Sequence, residues 1–379
     1  MKNRLKIGVL YFLALLMAGP VAWAQQSPPT PKLNAIVALR LPPGVNNPRN
    51  SEGDFVTLKD GRILFVFTHF TGNSPGDHAP AYLAGRYSSD GGNTWTRDDV
   101  VMVPNKAGLN IMSVSLLRLH DGRIALFYLR KASTNDCLPV ARFSIDEAKT
   151  WSNEVDCITD KTGYFVLNNN RVIQLKTGRL VMAVAKHTNT GGGFQSKGAL
   201  YCYYSDDGGT TWMPGKQVPD TTDIVTQEPG LIELRNGSVM MFIRASGGVQ
   251  YFSYSQDGGI SWRHILPGNI ASPLSPASMA RIPGTGDIVL VWNNNDGADV
   301  SIKNKRTPLT IAISKDEGKT WVHVQNLEDA KQGWYCYTAL HFTENHLLLG
   351  YCTGNQFNGG HLNSSDISLV PIKALYEEN

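Results

Sequence analysis

The chain has 379 residues, with 35 Lys and Arg against 32 Asp and Glu, and 42% hydrophobic residues. Lys2, Arg4 and Lys6 account for the whole basic excess, and no Lys/Arg run follows them, which argues against a phosphate-tracking, nucleic-acid-binding surface. After the first 24 residues no stretch is long and apolar enough to span a bilayer as a helix.

In chain order, residues 1–24 read as a signal peptide. The basic start is followed by an apolar run from Ile7 to Ala18 and by Ala22-Trp23-Ala24, a small-x-small cleavage site before Gln25. This implies an exported protein, periplasmic or secreted, with no membrane span after cleavage. Residues 25–45 are Pro-rich and polar at first, a tail expected to tuck against the domain. Residues 46–379 read as a single domain. The five cysteines are an odd set for an exported chain. Cys137 and Cys157 flank one repeat, and Cys336 and Cys352 sit on consecutive predicted strands. Either pair would suit a disulfide, and the connectivity stays open. Cys202 reads as a buried thiol.

From about Gly53 one grammar recurs. Asp54 to Leu58 is a strand, Lys59 to Arg62 a turn, and Ile63 to Phe67 a strongly apolar strand. A loop with Gly72, Pro75, Gly76 and Pro80 follows, and Tyr82 to Tyr87 leads into Ser88-x-Asp90-x-Gly92-x-Thr94-Trp95. The same order returns with Asp146, Asp207, Asp257 and Asp316, the aspartates falling 50 to 61 residues apart. Ala148 replaces the Gly of the second copy, and Ser261 the Thr of the fourth. Ser and Asp side chains hold tight turns through backbone N–H groups, and Gly supplies the positive φ. Each copy therefore reads as a structural hairpin turn, and a short motif at this period signals an array of like units. A sixth unit, Thr338 to Tyr351, lacks the motif. Each unit amounts to four antiparallel strands, so the fold expected is an all-β, six-bladed β-propeller of four-stranded antiparallel blades. The second strand of each unit is apolar on both faces and should lie between neighbouring blades.

In a propeller the strand ends near the axis converge on one pocket, away from the motif turns. The polar residues at those places are Glu228, before an inner strand, and Arg244, closing the next strand. Arg306 stands before Leu309 to Ile313, Tyr337 opens the last unit, and Asp77 lies in the loop before the first motif. Asn110, His187 and the run Asn168-Asn169-Asn170-Arg171 also stand where they would face the pocket or serve turns. No His/Asp/Glu spacing suggests a metal, and no Gly-rich loop opens a helix, so no cofactor is expected.

The five Asp motifs on a six-unit β chain resemble the sialidase (neuraminidase) superfamily over nearly the whole mature chain. Gln227-Glu228-Pro229, followed by Met241-Phe242-Ile243-Arg244, resembles the segment with the catalytic Glu and one Arg of a carboxylate-binding triad. Arg306 ahead of the fifth motif resembles another triad Arg, and Tyr337-Thr338-Ala339-Leu340 is similar to the nucleophile segment. Asp77 stands where the acid/base Asp is expected. The resemblance implies a retaining exo-glycosidase that releases a terminal sialic acid from glycans, with Tyr337 as nucleophile, Glu228 as its base and Asp77 as acid/base. Tyr nucleophiles are the known exception to the two-carboxylate rule. The usual Arg-Ile-Pro start of the first blade is missing. Counted back from Ile63, the first triad Arg should fall near Ser51 or Glu52, so Arg49 reaches the pocket only if the turn is displaced. Glu52 or Asp54 in its place would repel a substrate carboxylate.

Plainer alternatives stand beside these. Arg244 and Arg306 suit inter-blade ion pairs, Glu228 a strand-start carboxylate and Tyr337 an aromatic core. Asp77 competes with Asp54, Glu52 and His78. At the level of function, hydrolysis of a different terminal acidic sugar and non-catalytic glycan binding remain open. A binding-only propeller would keep Tyr337 and Glu228 apart.

Overall fold

The computed structural model describes residues 30–188, 193–357 and 361–377; the expected signal at residues 1–24 lies outside them. Among the described residues the strands form six antiparallel sheets. The first is Asn50–Thr57, Ile63–Phe70, Ala81–Ser88 and Val100–Val103, paired in that order. The innermost strands of the other blades are Asn110–Arg118, the broken pair Phe165–Val166 and Val172–Gln174, then Thr226–Glu233, Ser278–Arg281 and Gly333–Phe342. Each touches the next, and the last touches the first, so they ring an axis. This is the expected all-β six-bladed propeller.

Six buried apolar clusters lie between successive blades, one at each junction of the ring. The second strands supply their centres: Leu64 to Phe67, Leu126 to Tyr128, Val181 to Ala185 and Leu347 to Leu349 are almost fully buried. An apolar strand covered on both faces needs no alternation, which is why these runs are continuous. The sixth blade takes its outermost strand from the other end of the chain. Ile36–Leu41, within the segment expected to be a tail, pairs with Leu362–Pro371.

The repeated motif closes the turn between the third and outermost strands of blades 1 to 5. In the first copy the Ser88 hydroxyl donates to Asp90 (2.8 Å) and accepts from the Gly92 N–H (2.9 Å). The Asp90 carboxylate accepts from the Thr94 N–H (2.9 Å) and hydroxyl (2.6 Å). Trp95, Trp212 and Trp262 each donate their indole N–H to the carbonyl of the motif glycine. In the second copy Ala148 holds φ at 61°, against 92–97° for Gly92, Gly209 and Gly259. There the Trp151 indole nitrogen is buried without a partner.

Near the axis four of the inner strands share one distortion. Register slips between Ser51 and Asp54, Met112 and Ser115, Gln227 and Gly230, and Cys336 and Ala339. Within these bulges Glu52, Ser113, Glu228 and Tyr337 have positive φ, between 39° and 61°. A bulge adds a residue and re-aims its side chain, here toward the axis.

The disulfides considered from sequence do not form, and all five cysteines are buried free thiols. Cys336 and Cys352 are directly opposed across two strands. Their sulfurs are engaged elsewhere, Cys336 by Arg306 (3.0 Å) and Cys352 by the Glu52 N–H (3.3 Å).

Candidate active site

A cavity of about 660 Å³ opens at one end of the axis, and Arg49, Asp77, Glu228, Arg244, Arg306 and Tyr337 all line it. Six residues spread over 289 positions of sequence thus meet in one place. Glu228 and Tyr337 sit on the bulges of blades 4 and 6. Arg244 pairs in register with Gln227, which sets its guanidinium beside the Glu228 carboxylate. Arg306 precedes Leu309–Ser314 of blade 5, and Arg49 directly precedes the first inner strand.

The floor is a linked set. The Tyr337 hydroxyl donates to Glu228 Oε1 at 3.2 Å, and Arg244 Nη1 donates to Glu228 Oε2 at 2.7 Å. The Arg306 guanidinium lies 5.5 Å from the Tyr337 ring centroid. Burial pushes the Tyr337 phenol far up, the Glu228 charge adds to this, and Arg306 and Arg244 pull against it. Burial likewise raises the Glu228 carboxyl, but the charges of Arg244 and Arg306 outweigh it and leave it below its ordinary value. An ionised Glu228 beside a neutral phenol is a base next to its proton donor.

Also in the lining, Arg49 Nη1 donates to Asp77 Oδ1 at 2.5 Å. Its Nη2 donates to Ser51 Oγ (3.0 Å) and Glu52 Oε1 (3.1 Å). The Asp77 side chain is 65% exposed. Enclosure by the pocket wall raises the Asp77 carboxyl, and the Arg49 charge and hydrogen bond outweigh it, holding the group below its ordinary value. The Asp77 backbone is tied down from below. The fully buried Lys131 donates to its carbonyl at 2.6 Å, and Asn110 donates to the same carbonyl at 2.9 Å.

One expectation is corrected: neither Glu52 nor Asp54 lines the cavity in place of the arginine. Glu52 is buried behind Arg49 and accepts from Arg49 and Ser113. Asp54 accepts from the N–H groups of Phe55 (2.7 Å) and Leu116 (2.8 Å) and from Asn170 Nδ2 (2.9 Å). Arg49 does reach the pocket, two residues earlier than the position counted from Ile63, because the bulge at Glu52 displaces the strand start. Of the other polar candidates only His187 lines the cavity; Asn110 and the run 168–171 lie beneath it. Sequence reasoning missed Lys131 and the aromatic wall, where Phe194 stacks on His187 (5.2 Å between centroids) and meets the Tyr164 edge (5.6 Å). Among the described residues no group of three or more His, Cys, Asp or Glu side chains is placed to hold a metal.

A family model described as a BNR repeat-like domain matches residues 82–350. The chain belongs to the BNR repeat-like family. Among curated proteins, this BNR repeat-like chain is 27% identical over 237 residues to a sialidase of Clostridium perfringens, covering 56% of the chain and 60% of the relative. It is 27% identical over 333 residues to a sialidase of Micromonospora viridifaciens, covering 76% of the chain and 46% of the relative. It spans about half the length of these curated relatives. Among solved structures it is similar in fold to a leech intramolecular trans-sialidase complexed with 2,7-anhydro-Neu5Ac, with a TM-score of 0.69 at 16% identity over 91% of this chain and 71% of that one. A Dyadobacter fermentans protein of unknown function gives a TM-score of 0.70 at 18% identity over 89% of this chain and 99% of that one. The motif resemblance to sialidases and the BNR repeat-like match agree.

Proposed function

We propose that this protein is a sialidase-type glycosidase that releases a terminal sialic acid from glycans with retention of configuration. One observation carries the reading: a phenol and an ionised carboxylate 3.2 Å apart at the floor of a pocket walled by three arginines. Arg49, Arg244 and Arg306 suit a carboxylate, which guanidinium groups bind by charge-assisted, often bidentate hydrogen bonds. A sialic acid carries its carboxylate on the anomeric carbon, where an anionic nucleophile would be repelled. A phenol stays neutral until Glu228 takes its proton. The Tyr337 oxygen then bonds to the anomeric carbon as the bond to the leaving oxygen breaks, and Asp77 protonates that oxygen. In the second step Asp77 takes a proton from water, which attacks the anomeric carbon as the bond to the Tyr337 oxygen breaks, and Glu228 returns its proton to the leaving phenolate.

Asp77 is paired with Arg49 before substrate arrives. An incoming carboxylate competes for the same guanidinium. Losing a cation and gaining an anionic neighbour both move the Asp77 carboxyl up, toward the protonated form that a general acid needs. The reach of Arg49 into the pocket favours sialic acid over other acidic sugars. The contact between Tyr337 and Glu228 supports catalysis over binding alone. Export, read from residues 1–24, belongs to the same proposal.

The test is release of free sugar from sialyl, deaminated-sialyl and uronyl glycosides, with NMR of the first-formed anomer. Sialyl substrates should turn over with retention, and Tyr337→Phe should lose at least about 100-fold in kcat. Wild-type turnover by Tyr337→Phe, or an inverted first product, would refute the mechanism. Cleavage of uronyl glycosides alone would replace the substrate.

A further inference from the structure

The run Asn168-Asn169-Asn170-Arg171 sits on the axis beneath the pocket, between the two short inner strands of blade 3. Asn168, Asn169 and Arg171 are each at most 2% exposed. Its bonds leave blade 3 in several directions. The Asn170 N–H donates to the Val114 carbonyl (3.0 Å) and the Arg171 N–H to Ser115 Oγ (2.9 Å) in blade 2. Asn169 Nδ2 donates to the Gly53 carbonyl (2.9 Å) and Asn170 Nδ2 to Asp54 (2.9 Å) in blade 1. Arg171 Nη2 donates to the Ala277 carbonyl (2.5 Å) and Nη1 to Ser278 Oγ (3.4 Å) in blade 5.

Three further bonds converge on one short stretch of blade 6. Asn169 Nδ2 donates to the Tyr337 carbonyl at 3.0 Å. Ser278 Oγ donates to the Thr338 carbonyl at 2.6 Å. The Leu340 N–H donates to Asn170 Oδ1 at 3.3 Å. This stretch holds the bulge between Cys336 and Ala339, where Tyr337 takes φ of 57°. The bulge removes Tyr337 and Thr338 from register with the neighbouring strand, so their carbonyls take side-chain donors instead. A non-glycine residue stays left-handed only where its surroundings over-determine it. Without those donors the bulge is free to relax toward the extended form and to swing the phenol away from Glu228.

We propose that Asn169 and Ser278 are positioning residues for Tyr337, fixing the bulge that aims its hydroxyl at Glu228, with Asn170 and Arg171 bracing them from the axis. This rests on the reading of Tyr337 as nucleophile. The arginines that face the substrate carboxylate come from three other elements, so loss of positioning falls on turnover and spares binding.

The experiment uses the full chain and the best-cleaved aryl glycoside of the panel above, with Asn169→Asp, Ser278→Ala and Tyr337→Phe side by side. Asn169→Asp keeps the side-chain shape and turns an acceptor toward the Tyr337 carbonyl. Ser278→Ala deletes a single hydroxyl, so it gives the answer if Asn169→Asp does not fold. Expected are a fall in kcat of about 100-fold for Asn169→Asp and of about tenfold for Ser278→Ala. KM should stay within about threefold of wild type in both, a split that general loosening of the pocket would not give. The proposal fails if Ser278→Ala and folded Asn169→Asp keep wild-type kcat while Tyr337→Phe is inactive, or if KM rises in step with the fall in kcat. Wild-type turnover by Tyr337→Phe would instead sink the nucleophile assignment, and this proposal with it.

Discussion

Arg49 is a buried ion-pair partner and, under the proposed function, a carboxylate ligand, and a pair of variants separates the two roles. It is 8% exposed, and its partner Glu52 is 6% exposed at 3.1 Å. Arg49→Met leaves that carboxylate buried without its cation. Breaking such a pair from one side costs about 3–5 kcal/mol. The lower end is expected here, because burial already pushes the Glu52 carboxyl up. Glu52 is therefore poised to take a proton and shed its charge, and the Ser113 hydroxyl remains beside it. Arg49→Met combined with Glu52→Gln removes both charges and should recover most of the loss, to within about 1 kcal/mol of wild type. Activity behaves differently. Hydrogen bonds to a charged group contribute about 1.5–3 kcal/mol each, so one lost contact to the substrate carboxylate lowers kcat/KM by roughly 10- to 150-fold. The single and double variants should share that loss. Denaturant unfolding reads the first quantity and initial rates on an aryl sialoside the second. Arg49→Met with wild-type kcat/KM would refute its role as a carboxylate ligand. A double variant no more stable than the single one would refute the buried-pair reasoning.

Other outcomes follow from the same geometry. Asp77→Asn should lose about 10²- to 10⁴-fold in kcat/KM, which reports the first step, on glycosides with alkoxide leaving groups and far less on nitrophenyl glycosides, whose leaving oxygen needs no proton; equal losses in kcat/KM on both would remove Asp77 as the acid. Burial raises the Asp54 carboxyl from 3.8 to about 7. Between those values Asp54 is protonated in the folded chain and ionised in the unfolded one, so its contribution to stability is present below 3.8 and declines as pH rises toward 7. Asp54→Asn sets an amide against N–H donors and should be less stable at pH 4.5, but its unfolding midpoint should fall less than the wild type's between pH 4.5 and 7.5. Ala148→Gly relieves a left-handed alanine and should stabilise the chain by about 0.5–1 kcal/mol; an unchanged or lower midpoint in urea would show that this turn carries no strain.

The blades were legible because the sequence states them many times over. Five Asp motifs mark the outer turns, and continuous apolar strands mark the layers between blades. Glu228, Arg244, Arg306 and Tyr337 were legible through flanking residues that resemble sialidase segments, and Asp77 through its place in the loop before the first motif. The rest depends on contacts that leave no local trace. The bulges at Glu52, Ser113, Glu228 and Tyr337 put non-glycine residues at positive φ, so no Gly marks the residue that turns left-handed. Asn169 meets the carbonyl of Tyr337 across 168 positions of sequence. The reach of Arg49 depends on a slip in register that no count back from Ile63 foresees. Cys336 and Cys352 stand opposite each other as a bridge would require, yet Arg306 and the Glu52 N–H occupy their sulfurs.

The pairing of Ile36–Leu41 with Leu362–Pro371 makes the molecule a belt whose buckle is its own two ends. Blade 6, which carries Tyr337, is the buckle. During synthesis the first five blades can assemble while the belt hangs open, already holding Arg49, Asp77, Glu228, Arg244 and Arg306. Blade 6 is complete only when the strand at residues 362–371 lies between Ile36–Leu41 and His346–Asn355. A nick or truncation that springs the buckle strips blade 6 of its outermost strand, while the blades that carry Arg49, Glu228 and Arg244 keep all four of theirs.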